Sequence, residues 1–488
     1  MGLIDKDLQS IQEVRNLIHE AKKAQKILAG FSQQQIDRIC QAISEETYNQ
    51  REKLAKMANQ ETGFGVWQDK MIKNSFASKT VYEYIKDMRT VGVIKEDVEN
   101  RITEIAVPVG VIAGLIPSTN PTSTVIYKAL FALKAANSII FSPHPNALGC
   151  ITETVKIIQT VLEKEGIPKA CVSVMTMPTM EGTHELMVNK DTNLILATGG
   201  NAMVKAAYSS GTPAIGVGPG NGPAYIERSA DIKLAVKRIM DSKTFDNGTI
   251  CASEQSIIVE TANEKEVRAE LVHQGAYFLS EEEAAKLAKF ILRSNGTMNP
   301  QIVGKSVQHI ADLSGLTIPK SCRLIVANEK HVGPKYPYSR EKLAPIIAFY
   351  TVENWQAACD LSKEILKEEG AGHTMVIHTE NRKVIQAFGL EKPVSRLLVN
   401  TPAALGGIGG TTNLVPALTL GCGSIGGSST SDNIGPQHLF NLRRVAYGTT
   451  ELEEIRSNET STNEEASPIT ANEELINTLV SQILARLQ

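Results

Sequence analysis

A chain of 488 residues, 42% hydrophobic and 21% charged, can bury a large core, and its length asks for roughly two or three lobes. A formal charge of −3 excludes a general nucleic-acid surface. No apolar run reaches the roughly eighteen residues a membrane helix needs, so no membrane span is expected.

The N-terminal stretch MGLIDKDLQSIQEVRNLI lacks the basic start and apolar centre of a secretory leader, which predicts a cytoplasmic chain. Residues 8–58 read as helices, with Leu17, Ile18, Ala21, Ala24 and Leu28 recurring at the helical period, and the pattern continues from Met57 to Met88. Residues 101–107 alternate as a strand. An α/β series follows: strands at 109–117, 138–143, 171–176 and 194–200, with helices at 122–135, 146–163, after Glu181 and at 201–209. Strands alternating with helical crossovers imply a parallel sheet covered on both faces. This makes residues 1–236 a cofactor-binding lobe of doubly wound type, carrying an additional strand near 99–108. A second series, 237–430, has strands at 255–260, 323–328, 345–350 and 374–379, with helices at 263–273, 281–292 and 354–368. Residues 431–448 form a small β extension whose last strand lies near 439–446. Residues 449–472 are rich in Glu, Ser, Thr and Asn and read as a flexible linker. In 473–488, Leu475, Ile476, Leu479, Val480, Ile483, Leu484 and Leu487 fall on one helical face, an amphipathic helix on a tether. Such a helix either folds back on the body or docks elsewhere.

The seven cysteines (40, 150, 171, 251, 322, 359 and 422) are scattered and form no CxxC, so neither a disulfide framework nor a metal cage is expected. Cys251 stands out, between the polar loop KTFDNGTI and a strand. A lone cysteine is commonly a small buried hydrophobe, and its neighbours in sequence pattern decide otherwise. Asn120, in LIPSTNPTST, follows a strand in a proline-bracketed turn just before a helix. Its amide and a nucleophile's backbone N–H can form an oxyanion hole, although a turn asparagine is an equally sound reading of Asn120 alone. Thr198-Gly199-Gly200 closes a strand with two glycines that let backbone approach a ligand. AIGVGPGNGPAYIE (214–227) sets four glycines and two prolines between apolar runs, and Glu341 precedes a strand in EKLAP.

Eight stretches in order resemble the aldehyde dehydrogenase superfamily, and within it the coenzyme-A-acylating branch that includes the aldehyde dehydrogenase half of bifunctional alcohol/aldehyde dehydrogenases. They are IPSTNPTST (116–124), FSPHP (141–145), ATGG (197–200), GVGPGNGP (216–223), CASEQS (251–256), EKLAP (341–345), NTPAALGGIGG (400–410) and LTLGCGSIGG (418–427). The resemblance implies an α/β fold of two parallel-sheet lobes, a Rossmann-variant cofactor lobe and a catalytic lobe, with a small β oligomerisation extension. It implies Cys251 as nucleophile and Asn120 as oxyanion-hole amide. It implies Leu115, Ile116, Pro117, Ser118, Thr119, Pro143, His144, Gly199, Gly200 and Gly218 as dinucleotide contacts, and Glu341 as the carboxylate on the nicotinamide ribose. The iron-dependent alcohol dehydrogenase half has no counterpart in this sequence.

Hydrolytic relatives carry an acid in an ELGGK-type motif, where this sequence has Val217, and a lysine where it has Asn221. Without that acid, water is a poor acceptor, whereas a thiol is already a good nucleophile near neutral pH. The expected reaction is reversible oxidation of acetaldehyde or propionaldehyde with NAD and coenzyme A to acyl-coenzyme A. Two alternatives are a hydrolytic dehydrogenase and an assembly protein that works through its tail. His144 stands where hydrolytic relatives have lysine, a departure that bears on NAD against NADP, and NAD is expected. His373 in GAGHT reads either as a site residue or as a structural one. The formal G-x-G-x-x-G at 421–426 is followed by SSTSDNIGP rather than a helix, so it is no dinucleotide fingerprint. The family implies a homodimer or homotetramer. The tail resembles those that target microcompartment enzymes to a shell, which implies a shell-protein partner and a location in a bacterial microcompartment lumen.

Overall fold

The computed structural model describes residues 4–293, 295–457 and 473–486. Among the described residues fifteen strands form three sheets. β1 (Gly92–Asp97), β2 (Ile102–Pro108) and β15 (Phe440–Ala446) make a three-stranded sheet in the order β1-β2-β15. β3 (Val111–Ile116), β4 (Ser138–Pro143), β5 (Val172–Val174), β6 (Leu194–Thr198) and β7 (Ala214–Val217) make a parallel sheet in the order β5-β4-β3-β6-β7. β8 (Pro223–Ile226), β9 (Ser256–Glu260), β10 (Ala276–Phe278), β11 (Leu324–Asn328), β12 (Ile346–Val352), β13 (Gly372–His378) and β14 (Val394–Val399) make a second parallel sheet, β10-β11-β12-β9-β8-β13-β14.

The continuous apolar runs of β3 and β4 are buried along their whole length, as strands covered on both faces must be. Helix Pro121–Lys134 is buried on every side, which explains why its sequence shows little polar face. Its Lys128 Nζ donates to the carbonyls of Leu115 and Leu196, 2.8 Å each, tying β3 to β6. The chain winds from β3 out to β4 and β5 and then returns to β6 on the other side of β3. The carboxyl ends of β3, β4 and β6 therefore flank a switch point, the usual ligand crevice of such sheets.

The passage from the first sheet to the second falls between Val217 and Pro223, ahead of the boundary read at 236. The helix Ile232–Thr244 accordingly packs Ala235, Val236, Ile239 and Met240 on β8, β9 and β11 residues such as Ile226, Val259 and Val326. Five strands (β1, β7, β8, β10 and β14) were not expected from sequence, and the helical stretch 57–88 is divided into Arg51–Thr62, Trp67–Ser75, a π-helical turn Phe76–Thr80 and Val81–Ile85.

Residues 4–94, 106–293 and 295–442 form one compact unit, and 95–105 with 443–457 and 473–486 form another. In the second unit Arg444 Nε donates to Glu104 Oε1 at 3.0 Å and Tyr447 N to Arg101 O at 3.2 Å, joining the strands expected near 101–107 and 439–446. Residues 452–457, inside the stretch read as linker, are helical. Helix Glu473–Leu484 leaves Leu475, Ile476, Leu479, Val480, Ile483 and Leu484 exposed. The rest of the linker, 458–472, and Leu487 lie outside the described residues. Among the described residues no helix is long and apolar enough to cross a membrane, and no group of His, Cys, Asp or Glu could hold a metal.

Candidate active site

Cys251 is half-buried, in the segment that leads from helix Ile232–Thr244 into β9. Just ahead of it Asp246, Asn247 and Gly248 take left-handed backbone angles, φ 49°, 53° and 75°. For the two residues with side chains this costs about 1–2 kcal/mol each, and polar anchoring holds it. The buried Asp246 carboxylate accepts from Val66 N at 2.7 Å, Lys70 Nζ at 3.0 Å, Lys73 Nζ at 2.5 Å and Thr249 Oγ1 at 2.7 Å. Asp246 N donates to Asp69 Oδ2 at 2.7 Å, and Asn247 Nδ2 to Gly304 O at 3.0 Å. Burial pushes the Asp246 carboxyl up, but Lys73 and Lys70 outweigh it and hold the group below its ordinary range. Burial in turn brings Lys73 down to about 8.

The same lysine reaches Asn120. Lys73 Nζ donates to Asn120 Oδ1 at 2.6 Å, while Asn120 Nδ2 faces Thr119 Oγ1 at 3.3 Å and Thr249 O at 3.5 Å. Asn120 occupies the position before helix Pro121–Lys134, yet its side chain does not cap that helix. Its Nδ2 group thus lies beside the carbonyl of Thr249, two residues before Cys251.

Around Cys251 the family-like stretches meet. A Cβ on Gly220 would lie 2.7 Å from the Cys251 carbonyl carbon and closer still to its oxygen, so only glycine fits there. Gly220 N donates to Glu341 Oε1 at 2.9 Å. Gly407 backs onto Ala252, the distance from an added Cβ to the alanine Cβ being 2.9 Å. Lys342 N donates to Gln255 Oε1 at 2.9 Å. Thr198 Oγ1 lies 3.4 Å from Thr419 Oγ1, joining ATGG to LTLGCGSIGG. Arg396, buried, gives its guanidinium to Gly421 O at 2.7 Å, His373 O at 3.0 Å, Ser431 O at 3.1 Å and Thr374 Oγ1 at 3.1 Å. Burial, then Glu341, push the Cys251 thiol up to about 12, with Arg396 opposing. Burial and Glu369 raise Glu341 to about 8. His373 is fully buried, its Nδ1 is 3.1 Å from Thr374 Oγ1, and burial lowers it to about 3, so it is neutral.

Apart from Glu341, the other sequence-named residues lie at or just past the carboxyl ends of β3, β4, β6 and β7. Leu115, Ile116, Pro117, Ser118 and Thr119 run off the end of β3, and His144 N donates to Ile116 O at 3.1 Å, setting Pro143 and His144 beside them. The Leu115 side chain is in the core, and its carbonyl accepts from Lys128 Nζ at 2.8 Å. His144 Nδ1 accepts from Asn146 N at 3.1 Å, and burial holds this imidazole below its ordinary range. A Cβ on Gly200 would meet nothing within 4 Å, one on Gly199 only Met203 at 3.7 Å, and one on Gly218 only Gly426 O at 3.8 Å. These glycines border open space. Gly200 also precedes helix Asn201–Ser209 and has no side chain to cap it. Glu341 stands apart from this group, on the Cys251 side by way of Gly220. The stretch Gly421-Cys422-Gly423-Ser424-Ile425-Gly426 itself ends in a 3-10 turn, Ser424–Gly426, and the next element is another short 3-10 turn, Pro436–His438, with no dinucleotide-type helix opening from it.

Lys70, Lys73, Asp246, Thr249 and Arg396 escaped the sequence reading. The one signal was Asp246, a carboxylate five residues before the cysteine in TFDNGTIC.

The Aldehyde dehydrogenase family model matches residues 6–319. The bifunctional aldehyde-alcohol dehydrogenase of Escherichia coli (strain K12) is 43% identical over 442 residues, which cover 90% of this chain and 50% of that protein. The chain thus spans about half the length of this curated relative. A crystal structure of a probable aldehyde dehydrogenase from Listeria monocytogenes EGD-e is 69% identical, with TM-score 0.92, covering 92% of this chain and 100% of that one. An acetylating aldehyde dehydrogenase from Geobacillus thermoglucosidasius is 54% identical, with TM-score 0.91, covering 92% and 99%. By the family match and these relatives, the chain belongs to the aldehyde dehydrogenase family.

Proposed function

We propose that the protein oxidises a short-chain aldehyde, acetaldehyde or propionaldehyde, with NAD and coenzyme A to acyl-coenzyme A and NADH, reversibly, through Cys251. The observation that carries this reading is the Asn120 amide turned to the Cys251 segment, together with Val217 in place of a water-activating acid. The acetylating relative supports the same reading.

The thiolate of Cys251 attacks the aldehyde carbon, a C–S bond forms, and the carbonyl electron pair moves to oxygen. Asn120 Nδ2 and the Cys251 N–H donate to that oxygen. Removing one such donor typically lowers kcat by about 10²–10³. Loss of hydride from the carbon leaves an acyl thioester on Cys251. The thiolate of coenzyme A then attacks this thioester, and the Cys251 thiolate leaves. Exchange of one thioester for another makes the step reversible. The dinucleotide, when bound, supplies the hydride acceptor. Its cradle is the open space at Gly199, Gly200 and Gly218, beside an uncapped helix N-terminus suited to a pyrophosphate. Leu115 through Thr119, Pro143 and His144 border it, and Glu341 takes the nicotinamide ribose. His144 stands where hydrolytic relatives carry a lysine, so no fixed cation is set there for a 2′-phosphate, which favours NAD.

The test is NADH formation from each aldehyde with and without coenzyme A. Strong dependence on coenzyme A, its loss in Cys251→Ala, and an acyl adduct on Cys251 when coenzyme A is withheld are expected. Turnover that ignores coenzyme A would favour the hydrolytic alternative.

The three-stranded sheet is the assembly surface of a homodimer or homotetramer, and the exposed apolar stripe of helix Glu473–Leu484 docks on a microcompartment shell protein, placing the enzyme in the lumen. Removing 449–488 should leave turnover intact and abolish co-localisation with shell protein. Lost turnover with unchanged localisation would contradict the docking.

A further inference from the structure

We infer that Lys73 is a positioning residue that orients and polarises the Asn120 amide for oxyanion binding. This rests on the reading of Asn120 given above. An ammonium group has three N–H donors and no acceptor. Those of Lys73 meet Asn120 Oδ1 at 2.6 Å, Asp246 Oδ2 at 2.5 Å and Thr249 Oγ1 at 2.9 Å. With every donor engaged, the amide atom facing Lys73 must be oxygen, because a flipped amide would set N–H against N–H. The Nδ2 group is thereby aimed the other way. Its partners there, Thr119 Oγ1 at 3.3 Å and Thr249 O at 3.5 Å, are at the long end for hydrogen bonds, so it stays available to a stronger acceptor. A charged donor on the amide oxygen also withdraws electrons from nitrogen and strengthens its N–H as a donor.

Lys70 provides an internal comparison. It is as buried as Lys73 and binds the same Asp246 oxygen, but its other bond goes to Thr119 O and none to Asn120. If Lys73 served only to neutralise Asp246, the two lysines would behave alike.

The experiment is acylation of Cys251 by p-nitrophenyl acetate, followed as the burst of p-nitrophenolate. Thiolate attack forms the C–S bond, charge gathers on the ester oxygen, and collapse breaks the C–O bond to p-nitrophenolate, with neither dinucleotide nor coenzyme A involved. Lys73→Met and Asn120→Ala should each slow the burst about 10²-fold or more. The double variant should be no more than about 3-fold slower than Asn120→Ala, since the lysine acts through the amide. Lys73→Gln, which keeps an uncharged donor, should fall between wild type and Lys73→Met and covers the case in which the methionine variant does not fold. Alkylation of Cys251 by iodoacetamide develops no oxyanion and should change less than about 3-fold in Lys73→Gln or Lys73→Met. Multiplicative losses in the double variant, an equal loss in alkylation, or an equal loss in Lys70→Met would overturn the inference. A wild-type protein that gives the burst but no NADH from aldehyde and coenzyme A would refute the dehydrogenase reading and leave this one standing.

Discussion

Replacing Gly220 with alanine places a methyl group against the backbone of the proposed nucleophile, Cys251. The new carbon would sit 2.7 Å from the Cys251 carbonyl carbon. An ordinary carbon–carbon contact starts at about 3.5 Å, so the Cys251 peptide must retreat by about 0.8 Å, and further where its oxygen points at the methyl. Gly220 cannot yield freely, because its N–H is bound to Glu341 at 2.9 Å. A displacement of about 1 Å at a reacting group can lower turnover about 10²-fold. Overpacking of this kind typically destabilises by about 1–3 kcal/mol. The assay is coenzyme-A-dependent NADH formation, with unfolding by denaturant on the same samples. We expect kcat to fall about 10²-fold, with the aldehyde KM changed much less. Gly218→Ala is the control: its methyl would meet only Gly426 O at 3.8 Å, so stability should hold within about 0.5 kcal/mol. Only the KM for NAD should rise, because the methyl enters the open space assigned to the dinucleotide. A Gly220→Ala enzyme with more than a third of wild-type turnover and unchanged stability would refute the reasoning.

Asp246→Asn leaves Lys70 and Lys73 buried without their carboxylate, which should destabilise by about 3–5 kcal/mol in equilibrium unfolding; a loss below about 1 kcal/mol would mean the cluster does not hold the loop. Because burial and Glu341 hold the Cys251 thiol near 12, its alkylation by iodoacetamide in the ligand-free enzyme should climb about tenfold per pH unit from 7 to 10 without levelling. A plateau near pH 7 would contradict the raised thiol. Glu341→Gln removes a negative neighbour, so above pH 8, where Glu341 itself is ionised, alkylation should quicken relative to wild type while the KM for NAD rises. Val217→Glu restores an acid at the end of β7 and should permit NADH formation without coenzyme A. A folded variant still wholly dependent on coenzyme A would show that the missing acid is not what selects the thiol.

What could be read in advance was whatever is encoded over one or two turns of chain. The buried runs of β3, β4 and β9 and the stripes of the long helices announce themselves through spacing. β7, β8 and β10 did not, although three-residue β5 did. β7 and β8 have four residues each, and the glycine- and proline-rich run between them disguised the point where the chain leaves one sheet for the other. Cys251, Asn120 and Glu341 were legible by motif, while the lysines were not. Lys70 and Lys73 lie in WQDKMIKNS, which reads as an ordinary solvated helix. They are buried because Asp246, more than 170 residues later, comes to meet them.

That distant meeting explains how the kinked turn Phe245–Gly248 can hold the proposed nucleophile still. Asp246 and Asn247 would relax from their left-handed angles in isolation. Two ammonium groups, the Val66 N–H and the Thr249 hydroxyl fasten the Asp246 carboxylate, and Gly304 O fastens Asn247. The helix that supplies the lysines also supplies, through Lys73, the fixed orientation of Asn120. The proposed nucleophile and oxyanion donor therefore share one anchor, and a disturbance at Asp246 should misplace both together. Asp246→Asn should accordingly slow both the p-nitrophenyl acetate burst and iodoacetamide alkylation, whereas Lys73→Met should slow the burst alone; identical profiles for the two variants would show that the amide has no separate control.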